Sequence, residues 1–557
     1  MINKLKLATL IALVAFVGGA CKKDFASINT PPSVVTTPDV KYLFTYSQER
    51  IFRYQAPTEW VYENMEQLMR YTQYVSTSPF EYQSVNSRYG TYYLSILPNL
   101  FEIRKQIDAK PDKNDYQYMA ASTYIMQVLF GIKVTDMNGS IPYSQAEQGR
   151  YEAKYGPVYD NQDQLFTTWL SELDNAIATL TNTSLTNQQS YGNNDIYYKS
   201  DWTKWVKLAN TLKLRIAARI ENQNSAKAKQ IFQQVMQNSV GPITTDDAQL
   251  SYASKDYAGM GSDINYRAVR YGSTSIIKFL KNTADPRLFI YFSSNDLKGS
   301  YKDTLTKYNV NLPAFVNSND PLISYQGAPA DWTTDTTSKY ISTPVKAGTQ
   351  NYYLISTINR PFFSPTWNGA KGLFTDIPVT NAESCLLIAE FIQKGYGEGV
   401  NTKGTAEDWY KKGVTSSIKT MNAIAVAALS TVGYTTDGTS EIAAYLNNPQ
   451  VKFNGVNDLE RIYIQQYLNL FRNANEAFVF CRRTGYPKKV STYYARETYT
   501  TPIPRRWWLG DPGEVNRSNW ANALKEQGFT QNAQDVQTLS TERVWYDKTA
   551  PNFGEGK

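Results

Sequence analysis

Aromatic rings set beside amides and charged groups are the side chains of this sequence best suited to do chemistry. Phe80, Tyr82, Asn86, Arg88 and Tyr89 fall in one polar stretch, Ser76 to Tyr89. A second group holds Trp332 next to Asp331, Tyr352 and Tyr353 beside Asn351, and Trp367 next to Asn368. A sugar ring has an apolar C–H face and a fringe of hydroxyls, so a flat ring with a polar rim can grip it. Each ring taken singly also fits packing or plain loop surface. Catalytic chemistry is harder to find. The chain has no histidine, which removes Ser-His-Asp triads, Cys-His pairs and HExxH zinc sites together. Glycoside hydrolysis needs only two carboxylates at a suitable separation. Among 50 acidic residues some pair will meet a loose search, and no signature singles one out. Cys385 and Cys481 lie in the apolar helical patterns ESCLLIAEF and NEAFVFCRR. They read as two buried thiols in preference to a disulfide, and are too few for a metal knuckle. GYGEG (Gly395 to Gly399) follows a helix rather than a strand, so it ends a helix and is not a dinucleotide loop. No cofactor or metal is expected.

The elements that must position these rings begin after a leader. Lys4 and Lys6, the apolar run Leu7 to Val17 and the small residues Gly18, Gly19 and Ala20 have the order of a secretory signal peptide. The run meets Cys21, which resembles the lipobox of bacterial lipoproteins, where the cysteine sulfur is acylated and becomes the mature N-terminus. Residues 1–20 are thus expected to be signal peptide and 21–39, rich in Thr, Ser and Pro, a lipidated tether without a core. From residue 40 onward a single domain is expected. Helical spacing runs over 40–245 and 380–485, with strong helices at Asp163 to Leu180, Asp201 to Asn222, Asn381 to Lys394 and Asp458 to Phe480. The fold class is all-α, mainly helical, with paired helices suggesting tetratricopeptide-like hairpins. Residues 246–379 form a loop-rich excursion in which only Thr274 to Lys281 looks helical, and 486–557 are irregular. A composition of 42% hydrophobic and 19% charged residues suits a sizeable core. The net charge of +7 is dispersed, with RRTGYPKK and PRRWW the nearest approach to a basic cluster, so no nucleic-acid partner is expected. The 42 Tyr and 11 Trp favour surfaces that hold partly polar ligands.

Several stretches in order resemble the SusD/RagB family of nutrient-binding outer-membrane lipoproteins, in its SusD-like branch. They are GSIPYSQA (Gly139 to Ala146), YDNQDQLFTTWLSELDNAI (Tyr159 to Ile177), DIYYKSDWTKWVKLANTLKLRIAARI (Asp195 to Ile220), AESCLLIAE (Ala382 to Glu390), NEAFVFCRRTGYP (Asn475 to Pro487) and IPRRWW (Ile503 to Trp508). Departures occur at Ser140, where the family often has an acid, at Phe478, and at Trp507-Trp508-Leu509, where Tyr-Pro is common. The resemblance implies a scaffold of tetratricopeptide-like hairpins with loop-rich segments on the outer face, no catalysis, and a partner TonB-dependent (SusC-like) transporter. It implies an outer-membrane protein, lipid-anchored and facing the exterior. It also implies that the ligand contacts come from the two aromatic groups, and that the arginines of RRTGYP and of the LKLR helix are structural, pairing with carboxylates or helix ends. Oligosaccharide is the preferred cargo on the Tyr and Trp content. A peptide cargo, a lid subunit without selective binding and a surface glycoside hydrolase are the alternatives.

Overall fold

The computed structural model describes residues 38–54, 65–73, 86–255, 270–328, 339–365, 371–497 and 502–556. The leader, Cys21, Phe80, Tyr82, Trp332 and Trp367 lie outside the described residues. Helix α1 is Val40–Tyr54. Helices α2, Leu97–Asp108, and α3, Gln117–Asn138, form an antiparallel pair around Pro111, joined through a single 3-10 turn at Lys113–Tyr116. Next come α4, Gln162–Leu180, α5, Trp202–Ile220, and α6, Ser225–Gln237. After the excursion, which contains α7 (Thr274–Asn282), follow α8, Asn381–Gln393, and α9, Ala406–Ala427. The last are α10, Asp458–Asn469, α11, Ala474–Thr484, and α12, Arg517–Gln527. The fold is mainly helical, with successive helices packed as hairpins: α2 on α3, α4 on α5, α5 on α6, α8 on α9.

Local chemistry explains the boundaries. Asp201 caps α5 by accepting from Lys204 N, Thr380 caps α8 from Glu383 N, and Thr405 with Asp408 closes a capping box on α9. Helix α3 is buried almost all round from Met119 to Asn138, which makes it the central rod between α2, α4 and α5. Gly131 lets α4 approach it, since a Cβ there would stand 3.0 Å from Trp169.

Three expectations need correction. Within the excursion Thr274–Asn282 does not stand alone as a helix, since Arg287–Tyr291 and Tyr301–Lys307 are helical as well. The run Asp458 to Phe480 is not one helix: it breaks at the turn Leu470–Arg472. There the side chains of Asn469 and Asn473 donate to Thr380 Oγ1 and to Pro378 O, and Phe471 swings in to stack on Tyr291, 4.1 Å between centroids. The C-terminal segment is not wholly irregular either. It holds α12, whose Trp520, Ala523 and Leu524 are buried and whose Gln527 Oε1 accepts from Ser140 N. That last contact requires Gly139, with φ 73° and no room for a Cβ beside Gln527.

The motifs of the sequence meet one another in the interior. Asp160 accepts from Tyr143 N, Ser144 N and Ser144 Oγ, locking GSIPYSQA onto YDNQ. Arg219 of α5 makes two bonds of 2.8 Å to Asp136 of α3 and a third, 2.9 Å, to Glu476 of α11. Arg215 reaches Glu383, Arg483 makes a fork onto Glu390, and Arg482 donates to the carbonyls of Asp136 and Arg505. The arginines of RRTGYP and LKLR are therefore buried structural ties, as expected. Burial alone would raise Glu476, but Arg215 and Arg219 hold it down at about 2. Cys385 and Cys481 are free and buried, and burial pushes the Cys385 thiol up to about 12 and Cys481 higher still.

Arg219→Ala is expected to cost about 3–5 kcal/mol of unfolding free energy in urea, because it takes from the buried Asp136 its ion-pair partner and leaves Glu476 to Arg215. Lys229→Ala, which removes an exposed pair with Glu398, is expected to cost less than about 1 kcal/mol. The contribution of Glu476, whose folded value of about 2 lies below the ordinary 4.5, is present above pH 4.5 and is lost as pH falls toward 2.

Candidate functional site

The excursion leaves the scaffold and returns to it at one place. Strand β1, Leu250–Ser254, pairs antiparallel with β2, Phe374–Val379, with Leu250 opposite Val379 and Ser254 opposite Phe374. Between them the chain builds a separate apolar core that includes Tyr271, Leu297, Tyr301, Ile341, Val345 and Leu354. Its rings are thus held by packing of their own, apart from the helical hairpins.

The segment Tyr271–Ser273 ties this unit together. Gln73 and Thr72, the last described residues before the early aromatic loop, pair with Tyr271 and Gly272. Ser273 N donates to Tyr71 O, and Ser273 Oγ to Arg70 O at 2.5 Å. On its other side Gly272 N donates to Ser356 O, and Ala328 N, at the edge of the Trp332 stretch, donates to Gly272 O. Thr72–Gln73, Ala328 and Ser356, described residues on the approaches to the two aromatic groups, therefore meet at three consecutive residues. Gly327 permits the crossing: a Cβ would lie 2.3 Å from Thr274 Cα.

Within the described residues the rings divide by exposure. Tyr353 is 46% exposed, and its backbone is clamped by Asp296, whose Oδ2 accepts from Tyr353 N at 2.8 Å. Burial, and then the nearby Tyr353, raises the Tyr271 hydroxyl. Tyr352 turns inward at 7% exposure, its hydroxyl on Gln350 Oε1, so of the two neighbours only Tyr353 offers a face. This is the period-two alternation of the hairpin Val345–Ala347 and Gln350–Tyr352 carried to its end. Tyr308, not anticipated from the sequence, is 47% exposed and lies over Gly348 in that hairpin's turn. It stands beside Asn309, the same aromatic-amide pairing that singled out Tyr353 and Trp367.

The early group does not stay together. Asn86 opens a short helix, Asn86–Thr91. Arg88 is 1% exposed and donates to Asn475 Oδ1 at 2.7 Å, which places it in the interior rather than at a ligand rim. Tyr89 is half-buried, with its ring 4.4 Å from Tyr93 and its hydroxyl bonded to Tyr159, away from the excursion's partners. Many other tyrosines are interior pegs: Tyr71, Tyr291, Tyr198 and Tyr410 donate to the carbonyls of Tyr467, Leu468, Ala248 and Val451. A large part of the tyrosine content therefore belongs to the core. No group of three or more metal-ligating side chains occurs among the described residues.

Residues 31–508 match the family SusD-like_2, described as starch-binding, associating with outer membrane. The chain belongs to this family. No curated protein matches it in sequence. Among solved structures, a chitin-binding SusD homologue from Flavobacterium johnsoniae has 21% identity and a TM-score of 0.62, over 92% of this chain and 100% of that one. A SusD homologue from Bacteroides fragilis has 18% identity and a TM-score of 0.65, over 91% and 100%. A protein described only as chitin-binding has 22% identity and a TM-score of 0.67, over 92% and 100%. At these identities the likeness shows that the SusD-like fold is shared.

Gly327→Val is expected to part the SusD-like excursion from the Tyr271–Ser273 segment. Hydrogen exchange should then accelerate at the Ala328 and Thr274 amides and stay slow in α3.

Proposed function

We propose that this SusD-like chain is a non-catalytic capture lipoprotein, which holds an oligosaccharide on its loop-rich excursion and passes it to a TonB-dependent outer-membrane transporter. The family match over residues 31–508 carries the reading, since the family's description is starch-binding with outer-membrane association. The chitin-binding SusD-like structures support carbohydrate as the ligand class. The meeting of the approaches to both aromatic groups at Tyr271–Ser273 supports the excursion as the place of contact. Tyr353 and Tyr308 supply exposed ring faces there, and Phe80, Tyr82, Trp332 and Trp367 are proposed as further ligand contacts from the sequence alone.

The anchor is assigned to Cys21. Each buried acyl methylene contributes about 0.8 kcal/mol, and more than one chain is needed for stable attachment. The lipid would leave the helical hairpins and the excursion free to meet a transporter from outside the membrane.

Binding to arrays of glycans and peptides, watched for cleavage as well as retention, tests the cargo. Retention of a glycan class without cleavage is expected. Retention of peptides alone would change the cargo, and cleavage would overturn the non-catalytic reading. In the retained glycan, Tyr353→Ala with Trp332→Ala is expected to weaken binding about tenfold per ring, about 1.4 kcal/mol each, whereas Tyr352→Phe should leave it unchanged. Cys21→Ala is expected to move the protein from the membrane fraction to the soluble one and to abolish metabolic labelling by fatty acid.

A further inference from the structure

The hairpin of Val345–Ala347 and Gln350–Tyr352 has two unlike faces. Val345, Ala347 and Tyr352 turn into the excursion's own core, while Lys346 and Asn351, directly opposite one another in the register, are exposed on the outer side. Tyr353 continues that outer side beyond Asn351. At the turn Tyr308 closes over Gly348, where a Cβ would stand 2.4 Å from the ring's Cζ. The hairpin thus carries an exposed ring near each end and a polar pair between them. From Gln350 to Tyr353 a strand rises about 10 Å, so an occupant that meets both rings is an oligomer and not a single sugar.

The charge around these rings is mostly of one sign. Lys307 Nζ lies 5.4 Å from the Tyr308 ring centre, and Lys346 stands opposite Asn351. Lys298 follows Asp296, which grips the backbone of Tyr353 at both ends: its Oδ2 accepts from Tyr353 N and its own N donates to Tyr353 O. All three lysines are exposed, and none makes an ion pair among the described residues. The neighbouring acids do not balance them. Lys302 and Asp303 offset each other on the helix Tyr301–Lys307, Asp320 is paired with Lys281, and Asp296 against three lysines leaves two positive charges in excess. A surface of one sign attracts the opposite sign and rejects its own.

We infer that this face takes an acidic oligosaccharide, whose sugar rings lie on Tyr353 and Tyr308 and whose carboxylate or sulfate groups meet Lys298, Lys307 and Lys346. The inference rests on the capture reading and narrows its cargo. Aromatic contact alone would serve a neutral glycan equally well. A lysine beside each ring and another between them select for charge, and the Asn351 amide can both donate to and accept from the intervening hydroxyls.

The test is calorimetric titration of the full-length chain with hexagalacturonate, a kappa-carrageenan hexasaccharide, maltohexaose and chitohexaose, at low and at physiological salt. An acidic probe is expected to bind about tenfold or more tighter than either neutral one, with the preference shrinking as salt rises. Lys307→Gln and Lys346→Gln, exposed changes that should leave the melting temperature unaltered, are each expected to weaken the acidic probe about threefold and to spare the neutral ones. A response to hexagalacturonate alone would identify the recognised group as carboxylate, and a response to the carrageenan alone as sulfate; either supports the proposal. Neutral probes that bind as tightly as the acidic ones would overturn it and leave the capture reading standing. So would acidic binding that the two lysine substitutions together leave unchanged. Silence from both acidic probes would overturn it as well, and the neutral probes then decide the capture reading separately.

Discussion

Arg219 reaches across from α5 to grasp Asp136 with two parallel bonds and Glu476 with a third, and the helical scaffold depends on that junction. It joins three helices far apart in sequence, α3, α5 and α11, at a point sealed from water. A buried charge cannot be left half-paired without a cost of several kcal/mol. The pair therefore fixes the relative height of the helices in a way that apolar contact, which tolerates sliding, does not. Arg215 with Glu383 and Arg483 with Glu390 extend the same constraint to α8. Arg88 joins it through Asn475, whose amide also donates to Asp136.

These ties explain why the sequence motifs were legible as a set while their purpose was less so. LKLR, AESCLLIAE and RRTGYP lie far apart in the chain, yet their charged groups close on one another, Arg215 on Glu383 and Arg483 on Glu390, while GSIPYSQA is held by Asp160 of YDNQ. The helices themselves could be read because α5 and α8 carry broad apolar faces and side-chain caps. The break at Leu470–Arg472 could not be, since Asn469 and Asn473 find their partners on a strand and cap from another part of the chain. Periodicity reports which side of a helix is buried, not which neighbour will outbid its next turn. Helix α12 escaped for the opposite reason: Trp520, Ala523 and Leu524 cover little more than one turn, too short a run to stand out among loops.

The candidate site was legible only in outline. A polar loop containing Arg88 looks like a ligand rim, but burial against Asn475 makes it part of the interior. Tyr352 and Tyr353 are indistinguishable by composition, and strand alternation separates them. Tyr308 has the same signal, an aromatic beside an amide, and the fold brings it to the turn of the hairpin before Tyr353. The abundance of tyrosine pointed toward recognition, whereas much of it serves the carbonyls at helix ends, as where Tyr71 and Tyr291 meet the last turn of α10. Tyr71 also lies five residues before Ser76, where the early aromatic stretch begins, so one phenol ties the end of α10 to the chain that leads toward it.

The two interior thiols give the molecule a redox character of its own. Attack on a disulfide or a peroxide requires thiolate, and burial holds both Cys385 and Cys481 in the neutral form well above ordinary pH. Folding thus passivates them. The folded chain can keep these two thiols reduced among oxidants that would attack its unfolded form, so their oxidation depends on how often the chain opens as well as on the oxidant around it.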